Sequence, residues 1–336
     1  MIKTAILGGS GYTALELLKI LLRHPHAEVV AVTSRQEGTP RVAESHPSLA
    51  GRTDLRMEPF DVDALLARGV QCAFGCLPHG ASMAALPRLL DRGVRVIDLS
   101  ADYRLRDPNV YAQWYGASHD DLAHLAQAVY GLPEVYGEEI ATAQLVANPE
   151  LLPADGDPRA CPARGRQPHR LLRHRRGQQE RRVRRRSHPE TELHFPECNE
   201  SVSAYSAGSH RHTPEIEQAL SDVAGGPVEV IFTPHLIPMD RGIFSTIYAT
   251  PRRAMSAAEL LDLYREYYRK APFVRVVEHL PATKYTAGTN FLDVHVRVVR
   301  NRIVVLACED LVRAPAASRC RTLTACTCFD ERTGLW

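Results

Sequence analysis

The sequence predicts an α/β protein: a doubly wound parallel sheet, then a second α+β domain built on a mostly antiparallel sheet. Three observations carry this. Apolar strand-like runs alternate with helical segments as far as residue 149. A glycine-rich turn joins the first run to the first helix. From Thr191 onward, strand-like runs follow one another with few helices between them. Strict alternation is the pattern of parallel βαβ units, whereas helix-poor succession favours antiparallel pairing.

Each element has its own signal. "KTAILG" is a short apolar strand, and "GGSGYTALELLKILLRHP" is a turn feeding an amphipathic helix. "AEVVAVTS", "CAFGCLP" and "VRVIDLS" read as further strands, the last two separated by the helix "GASMAALPRLLDRG". In the second half, "PVEVIFTPHLIP", "GIFSTIYATP", "FVRVVEHL" and "FLDVHVRVVRNRIVVLAC" are strand-like, and "SAAELLDLYREYYRKA" is an amphipathic helix. Residues 150–190 and 313–328 show neither period. The expected organisation is a nucleotide-binding domain over 1–149, a substrate domain over 150–312, and a C-terminal segment, 313–336, returning to the first domain.

Composition bounds the partners. A chain of 336 residues with 44% hydrophobic and 24% charged residues is ordinary for a globular protein with a buried core. The net charge of +2 points to no polyanionic partner. It conceals twelve arginines between Arg159 and Arg186, with Glu180 the one acidic residue among them and no lysine. Such a block has the charge to meet phosphates. The reading below gives it no function, so no nucleic acid is expected. "MIKTAILGG" lacks the basic start and cleavage site of a secretory leader, and no apolar run is long enough for a bilayer. A cytoplasmic enzyme with no membrane partner is expected. Eight cysteines, four of them in the last 29 residues, do not form a disulfide framework in such a protein. Cys326-Thr327-Cys328 has the wrong spacing for zinc, and no metal site is expected.

Gly8-Gly9-Ser10-Gly11-Tyr12-Thr13-Ala14 spells G-x-x-G-x-x-A between a strand and a helix. Glycine permits the tight turn, and backbone N–H groups at a helix N-terminus meet a pyrophosphate, as in Rossmann-type dinucleotide domains. The plainer reading is an ordinary βα turn. The second strand ends in "TSRQ" rather than in the acidic residue that grips a ribose 2′-hydroxyl. Ser34 and Arg35 suit a 2′-phosphate instead, so NADPH is expected over NADH.

Ten ordered strings then carry a resemblance: "GGSGYTALELL", "TSRQEG", "CLPHGAS", "VIDLSADYRLRD", "VYGLPE", "VANP", "LHFPECNESVSAY", "GSHRHTPEIEQ", "FTPHLIPMDRGIFSTIYA" and "FLDVHVRVV". Across residues 1–149, 191–312 and the final "FDERTGLW", the chain resembles the N-acetyl-γ-glutamyl-phosphate reductase family, relatives of aspartate-semialdehyde dehydrogenase. The resemblance implies NADPH-dependent reduction of an acyl phosphate to a semialdehyde through a cysteine thioester. A thiolate is intrinsically nucleophilic, and a histidine handles the protons. It implies that His210 and His212 are the proton-transfer and orienting pair, with His212 favoured as acid/base. Arg211 and Arg104 are implied to meet substrate anions. Pro78 and Ser100 would lie along the cofactor, as would His79 and Asn290. For His79, Ser100 and Arg104 a capping or loop role stays equally open. A homodimer or homotetramer is expected.

In the family, Asn-Pro is followed by Gly-Cys-Tyr-Pro-Thr, and that cysteine is the nucleophile. Here Asn148-Pro149 is followed by Glu150-Leu151-Leu152-Pro153, so Leu151 fills the cysteine slot. Leucine has no lone pair for attack. A shifted reading frame explains the departure. With suitable codons, Leu151-Leu152-Pro153 read one base later yields Cys-Tyr-Pro, and "QERRVRRR" yields Arg-Ser-Gly-Val-Ser-Gly-Ala-Gly, close to a family segment. A second shift over 313–328 would restore the family's Ala-Val-Gln-Asn, and Cys161 and the late cysteines are then products of the wrong frame. Two alternatives remain: an NADP-binding protein that has lost catalysis, and a sister reductase for aminoadipyl or aspartyl phosphates.

Overall fold

The computed structural model describes residues 1–149, 199–239 and 242–310, the backbone of 174–180, and residues 323, 330 and 332–335. The chain divides into two compact units, Met1–Glu150 with Pro315–Trp336, and Leu151–Ala314.

The first unit is a seven-stranded parallel sheet. Its strands are β1 (Ile2–Leu7), β2 (Ala27–Thr33), β3 (Met57–Glu58), β4 (Cys72–Gly75), β5 (Arg95–Asp98), β6 (Val129–Tyr130) and β7 (Leu145–Ala147). They lie in the order β3-β2-β1-β4-β5-β7-β6. The order reverses between β1 and β4, and a crevice at the carboxyl ends of such strands is where open α/β sheets take ligands. The strands are apolar without alternation because helices cover both faces. Every residue of β4 and β7 is buried. Helix α1 (Tyr12–Leu21) buries Ala14, Leu17, Leu18 and Leu21, the i, i+3, i+4, i+7 stripe of a helix laid on a sheet. Each fully buried leucine there contributes about 1.5–3 kcal/mol.

One expected helix is broken. "GASMAALPRLLDRG" forms two short pieces, Ser82–Ala85 and Pro87–Leu90, with Leu86 between them. Pro87 has no N–H to continue the ladder, although Leu86 before it keeps helical dihedrals. At the other end of the chain, Gly334 packs on His24. Its φ is +74°, and a Cβ there would lie 2.5 Å from the His24 ring. Leu335 beside it is buried.

The second unit carries a mixed sheet of β8 (His174–Glu180), β9 (Ser203–Ala204), β10 (Val230–Leu236), β11 (Ile243–Ala249), β12 (Val274–Val276), β13 (Leu292–Val299) and β14 (Arg302–Glu309). The order is β12-β13-β14-β11-β8-β10-β9. Pairings β13/β14, β14/β11, β11/β8 and β10/β9 are antiparallel, while β12/β13 and β8/β10 are parallel. "FLDVHVRVVRNRIVVLAC" is thus a hairpin, turning at Arg300 and Asn301 with φ of 47° and 57°, the left-handed pair that a type I′ turn requires. Within 150–190, where the sequence shows neither period, His174–Glu180 is a strand. Its backbone pairs with β10 on one side and β11 on the other. Its sequence, HRRGQQE, contains no apolar residue and so offers no alternation to read.

Helices cover one face of this sheet. Helix Thr213–Ala224 sets Ile216 and Leu220 against Phe232 and Ile243. Helix Ala257–Tyr267 sets Leu260 and Tyr264 against Val294, Val296 and Val305. It begins with a capping box, in which Ser256 Oγ accepts the Glu259 N–H and Glu259 accepts the Ser256 N–H. The opposite face presents Tyr248 and Ile231, each about half exposed (47% and 48%).

Candidate active site

The glycine turn lies at the carboxyl end of β1, beside the switch point. Gly8 has φ +80°, and a Cβ on it would stand 2.4 Å from the Cys76 carbonyl oxygen. A Cβ on Gly9 would stand 2.1 Å from Val32 Cγ1. Both glycines are therefore required by the packing of the turn against its neighbours. Gly11 is different. It caps α1 with φ −77° and ψ 156°, and its Cβ would meet nothing nearer than Gly8 O at 3.6 Å. Nothing internal demands a glycine there. Gly9, Gly11 and Ala14 fall into the G-x-G-x-x-A spacing, whose second glycine lets a pyrophosphate approach the backbone and whose last small residue packs helix on strand. Ala14 is fully buried, as that requires. α1 has no side-chain cap and no acidic residue in its first turn, so its positive end suits an anion. These residues fit a dinucleotide diphosphate. Ser10 is exposed, and Tyr12 and Thr13 in the first helical turn are half-buried.

The next two strands build the flanks. Ser34 follows β2, donating its N–H to Glu58 O at 2.9 Å and accepting the Gln36 N–H on Oγ at 3.1 Å. Arg35 is exposed beside it. Sequence reasoning missed His46. It is buried, and its Nε2 lies 2.7 Å from the Gly9 carbonyl oxygen. A lone histidine in a loop carries no signal that would single it out.

Beyond β4 and β5, a buried carboxylate network shapes the rim. Asp98 accepts from Ser100 Oγ at 2.6 Å and from Ser82 Oγ at 2.8 Å. Burial pushes its carboxyl up to about 6, against the two serine hydrogen bonds that lower it. Asp102 accepts from the N–H groups of Gly80 and Ser82 and from the Tyr111 hydroxyl. It thereby holds the loop bearing Pro78 and His79, both exposed. His79 Nδ1 accepts the Ala101 N–H at 3.1 Å, so the proton of the neutral ring sits on Nε2. The Ser100 hydroxyl donates inward to Asp98 rather than outward. Arg104 is likewise buried, 1% exposed, and donates from Nη2 to Leu99 O at 2.8 Å. Asn148, after β7, is buried with its N–H on Asp98 O. Leu151, the expected nucleophile slot, lies outside the described residues, as do the two stretches read as frame-shifted, apart from the backbone of 174–180 and Leu323.

In the second unit, His210, Arg211 and His212 lead into helix Thr213–Ala224. His210 Nδ1 accepts the His212 N–H at 3.1 Å, which leaves Nε2 as the protonated nitrogen of a neutral ring. Tyr205, Phe232 and His212 surround the His210 ring edge-on, with centroids 5.6, 5.1 and 4.7 Å away. His212 is buried and Arg211 exposed. Asn290, just before β13, is 7% exposed. Among the described residues no group of three potential ligands could hold a metal.

Residues 3–143 match the semialdehyde dehydrogenase NAD-binding domain, and residues 187–310 match the semialdehyde dehydrogenase dimerisation domain. N-acetyl-gamma-glutamyl-phosphate reductase of Rhodopirellula baltica is 39% identical over 99% of this chain and 98% of its own length. The enzyme of the same name from Desulforudis audaxviator is 41% identical over 100% and 98%. Among solved structures, aspartate semialdehyde dehydrogenase II of Vibrio cholerae complexed with ASA superposes with TM-score 0.71 at 15% identity, over 97% of this chain and 98% of that one. Aspartate semialdehyde dehydrogenase with NADP from Candida albicans gives 0.71 at 12%, over 97% and 99%. The structural likeness shows the fold, and the sequence identity runs end to end through both units. On that identity, the chain belongs to the N-acetyl-γ-glutamyl-phosphate reductase family of acyl-phosphate-reducing oxidoreductases.

Proposed function

We propose that the enzyme encoded here reduces N-acetyl-γ-glutamyl phosphate to N-acetylglutamate 5-semialdehyde with NADPH, releasing phosphate, as a cytoplasmic step of arginine biosynthesis. The observation that carries this is identity of about two residues in five with enzymes of that name over their whole length. NADPH is preferred to NADH because Ser34 and Arg35 end the second strand where an acidic residue would select a bare ribose. The bound nicotinamide supplies hydride. Gly8, Ser10, Gly11, Tyr12 and Thr13 bind the diphosphate, with Pro78 and the rim held by Asp102 alongside. Ser100 and Arg104 act from inside the wall, fixing that rim. His212 exchanges the proton at the acyl oxygen, His210 orients the substrate from Nε2, and exposed Arg211 meets its anionic groups. The open face of the second unit, with Tyr248 and Ile231, is where a second copy would pack in a homodimer or homotetramer.

The printed chain has Leu151 where this chemistry needs a thiol. Two readings follow. In the first, the gene encodes the cysteine and the translated sequence is out of frame over 150–190 and 313–328. The two family matches stop at 143 and resume at 187, so most of the first stretch lies in neither. In the second, favoured by Leu151 itself, the protein binds dinucleotide without turning over. Sequencing the gene through these codons separates them: an uninterrupted frame encoding Leu151 ends the first reading. A sister reductase for aminoadipyl or aspartyl phosphate is separated by kcat/KM on each acyl donor, measured on the enzyme with its cysteine.

A further inference from the structure

We propose that His46 is a positioning residue for the dinucleotide, clamping the glycine turn from behind and tying it to the loop that faces the adenosine ribose. The inference rests on reading that turn as the dinucleotide site.

A carbonyl cannot donate, so the 2.7 Å contact between His46 Nε2 and Gly9 O places the hydrogen on Nε2. Gly9 is thus held at both ends of one residue, since its own N–H donates to Thr33 O at 2.8 Å. The turn is fixed relative to β2 by that N–H and relative to helix α2 (Val42–Ser45) by the carbonyl. His46 is the residue after α2. It is 4% exposed, and its N–H closes the helix on Val42 O at 2.9 Å. The same short helix reaches the ribose loop. Ser45 Oγ donates to Gln36 Oε1 at 3.1 Å, and the Gln36 N–H donates to Ser34 Oγ at 3.1 Å. One chain of contacts therefore runs Gly9, His46, Ser45, Gln36, Ser34. It links the part of the site that meets the diphosphate to the part that meets the 2′-phosphate.

The physical consequence concerns orientation. Gly9 and Ser10 share one peptide plane, because the Gly9 carbonyl and the Ser10 N–H belong to the same peptide unit. Fixing the carbonyl fixes the direction of that N–H. In a diphosphate-binding turn the backbone N–H groups must be aimed before the ligand arrives, or the cost of aiming them is taken from the affinity. His46 sets that aim without touching the ligand.

Histidine Nε2 is matched in position by the amide of glutamine, whereas asparagine presents its amide near Nδ1. The test uses full-length protein and three variants, His46→Gln, His46→Asn and His46→Ala. Thermal melts and NADPH binding by nicotinamide fluorescence and titration calorimetry are the readouts, so no turnover is needed. The expected result is that His46→Asn and His46→Ala raise the Kd for NADPH about tenfold, equivalent to about 1.4 kcal/mol. His46→Gln stays within about threefold of the parent, the range of a retained but imperfect hydrogen bond. Asn and Ala variants should melt lower than the Gln variant by the equivalent of one lost hydrogen bond, so binding is measured well below every melting temperature, where each variant is folded. Equal binding by Gln and Asn variants would overturn the inference, whether both are tight or both weak. A parent protein that binds neither NADPH nor NADH would overturn the dinucleotide reading itself, and the proposal with it.

Discussion

Gly8 and Gly11 stand three residues apart in one turn and answer to different constraints. Gly8 faces a backbone oxygen at 2.4 Å in a left-handed conformation, so Gly8→Ala should cost about 3 kcal/mol of stability or more, visible as a lowered melting temperature. Gly11 has ordinary dihedrals and open space toward its own protein. Gly11→Ala should therefore melt within about 0.5 kcal/mol of the parent, yet bind NADPH at least about tenfold more weakly, because the methyl occupies the ligand's approach. Equal binding by parent and Gly11→Ala would remove the diphosphate from that position. Asp98 makes a separate prediction. Its carboxyl is raised from 3.8 in the unfolded chain to about 6 in the folded one. Between those values the folded state binds the extra proton. The stability it contributes is fully present below about 3.8 and is lost as pH rises through about 6. The difference is about 3 kcal/mol. Asp98→Asn cannot ionise, so the fall in unfolding free energy between pH 4 and 6 should flatten by that amount in denaturant titrations. An unchanged slope would show that Asp98 is not the titrating group.

At the scale of elements, most of what positions the site was legible. The apolar runs within β1, β2, β4 and β5 need no partner to be recognised, because the stretch of a parallel strand that is covered on both faces is mostly apolar. The glycine turn was legible for the same local reason. β8 was not, since HRRGQQE has no apolar residue to alternate, and only its pairing with β10 and β11 reveals it. The break at Pro87 was visible in the text but was outweighed by the helical composition around it. The inward use of Ser100 and Arg104 was also beyond reach, because a hydroxyl's or guanidinium's partner depends on the fold around it. The hairpin at Arg300 and Asn301 offers a test of turn chemistry. Arginine at φ 47° carries the strain of a left-handed residue with a Cβ. Arg300→Gly should stabilise the protein by about 1 kcal/mol, read as a raised melting temperature, and a destabilised variant would mean the arginine side chain contributes more than its backbone costs. Loss of the Ser256 cap in Ser256→Ala should cost about 1 kcal/mol by the same measurement.

For the molecule as a whole, family membership and the proposed absence of the nucleophile make separate predictions. Identity near 40% spans the chain, while residue 151, proposed as the slot of the nucleophile, is leucine. Protein of verified mass carrying this leucine should show no phosphate-dependent reduction of NADP with the semialdehyde, and turnover above a protein-free blank would contradict that. The same protein should still retain NADPH on titration, because none of the residues proposed to hold the cofactor lies in the two departing stretches. Among the described residues no helix is long and apolar enough to cross a membrane. The seat of Gly334 on His24 has a consequence for synthesis. During translation β1 and α1 leave the ribosome well before Gly334, which covers His24 from beyond the whole second unit. The nucleotide-binding unit is begun before the second unit is made and completed only after it. Any gene lesion that loses the frame before codon 332 and fails to regain it leaves that unit open, however faithfully its first 149 residues were made.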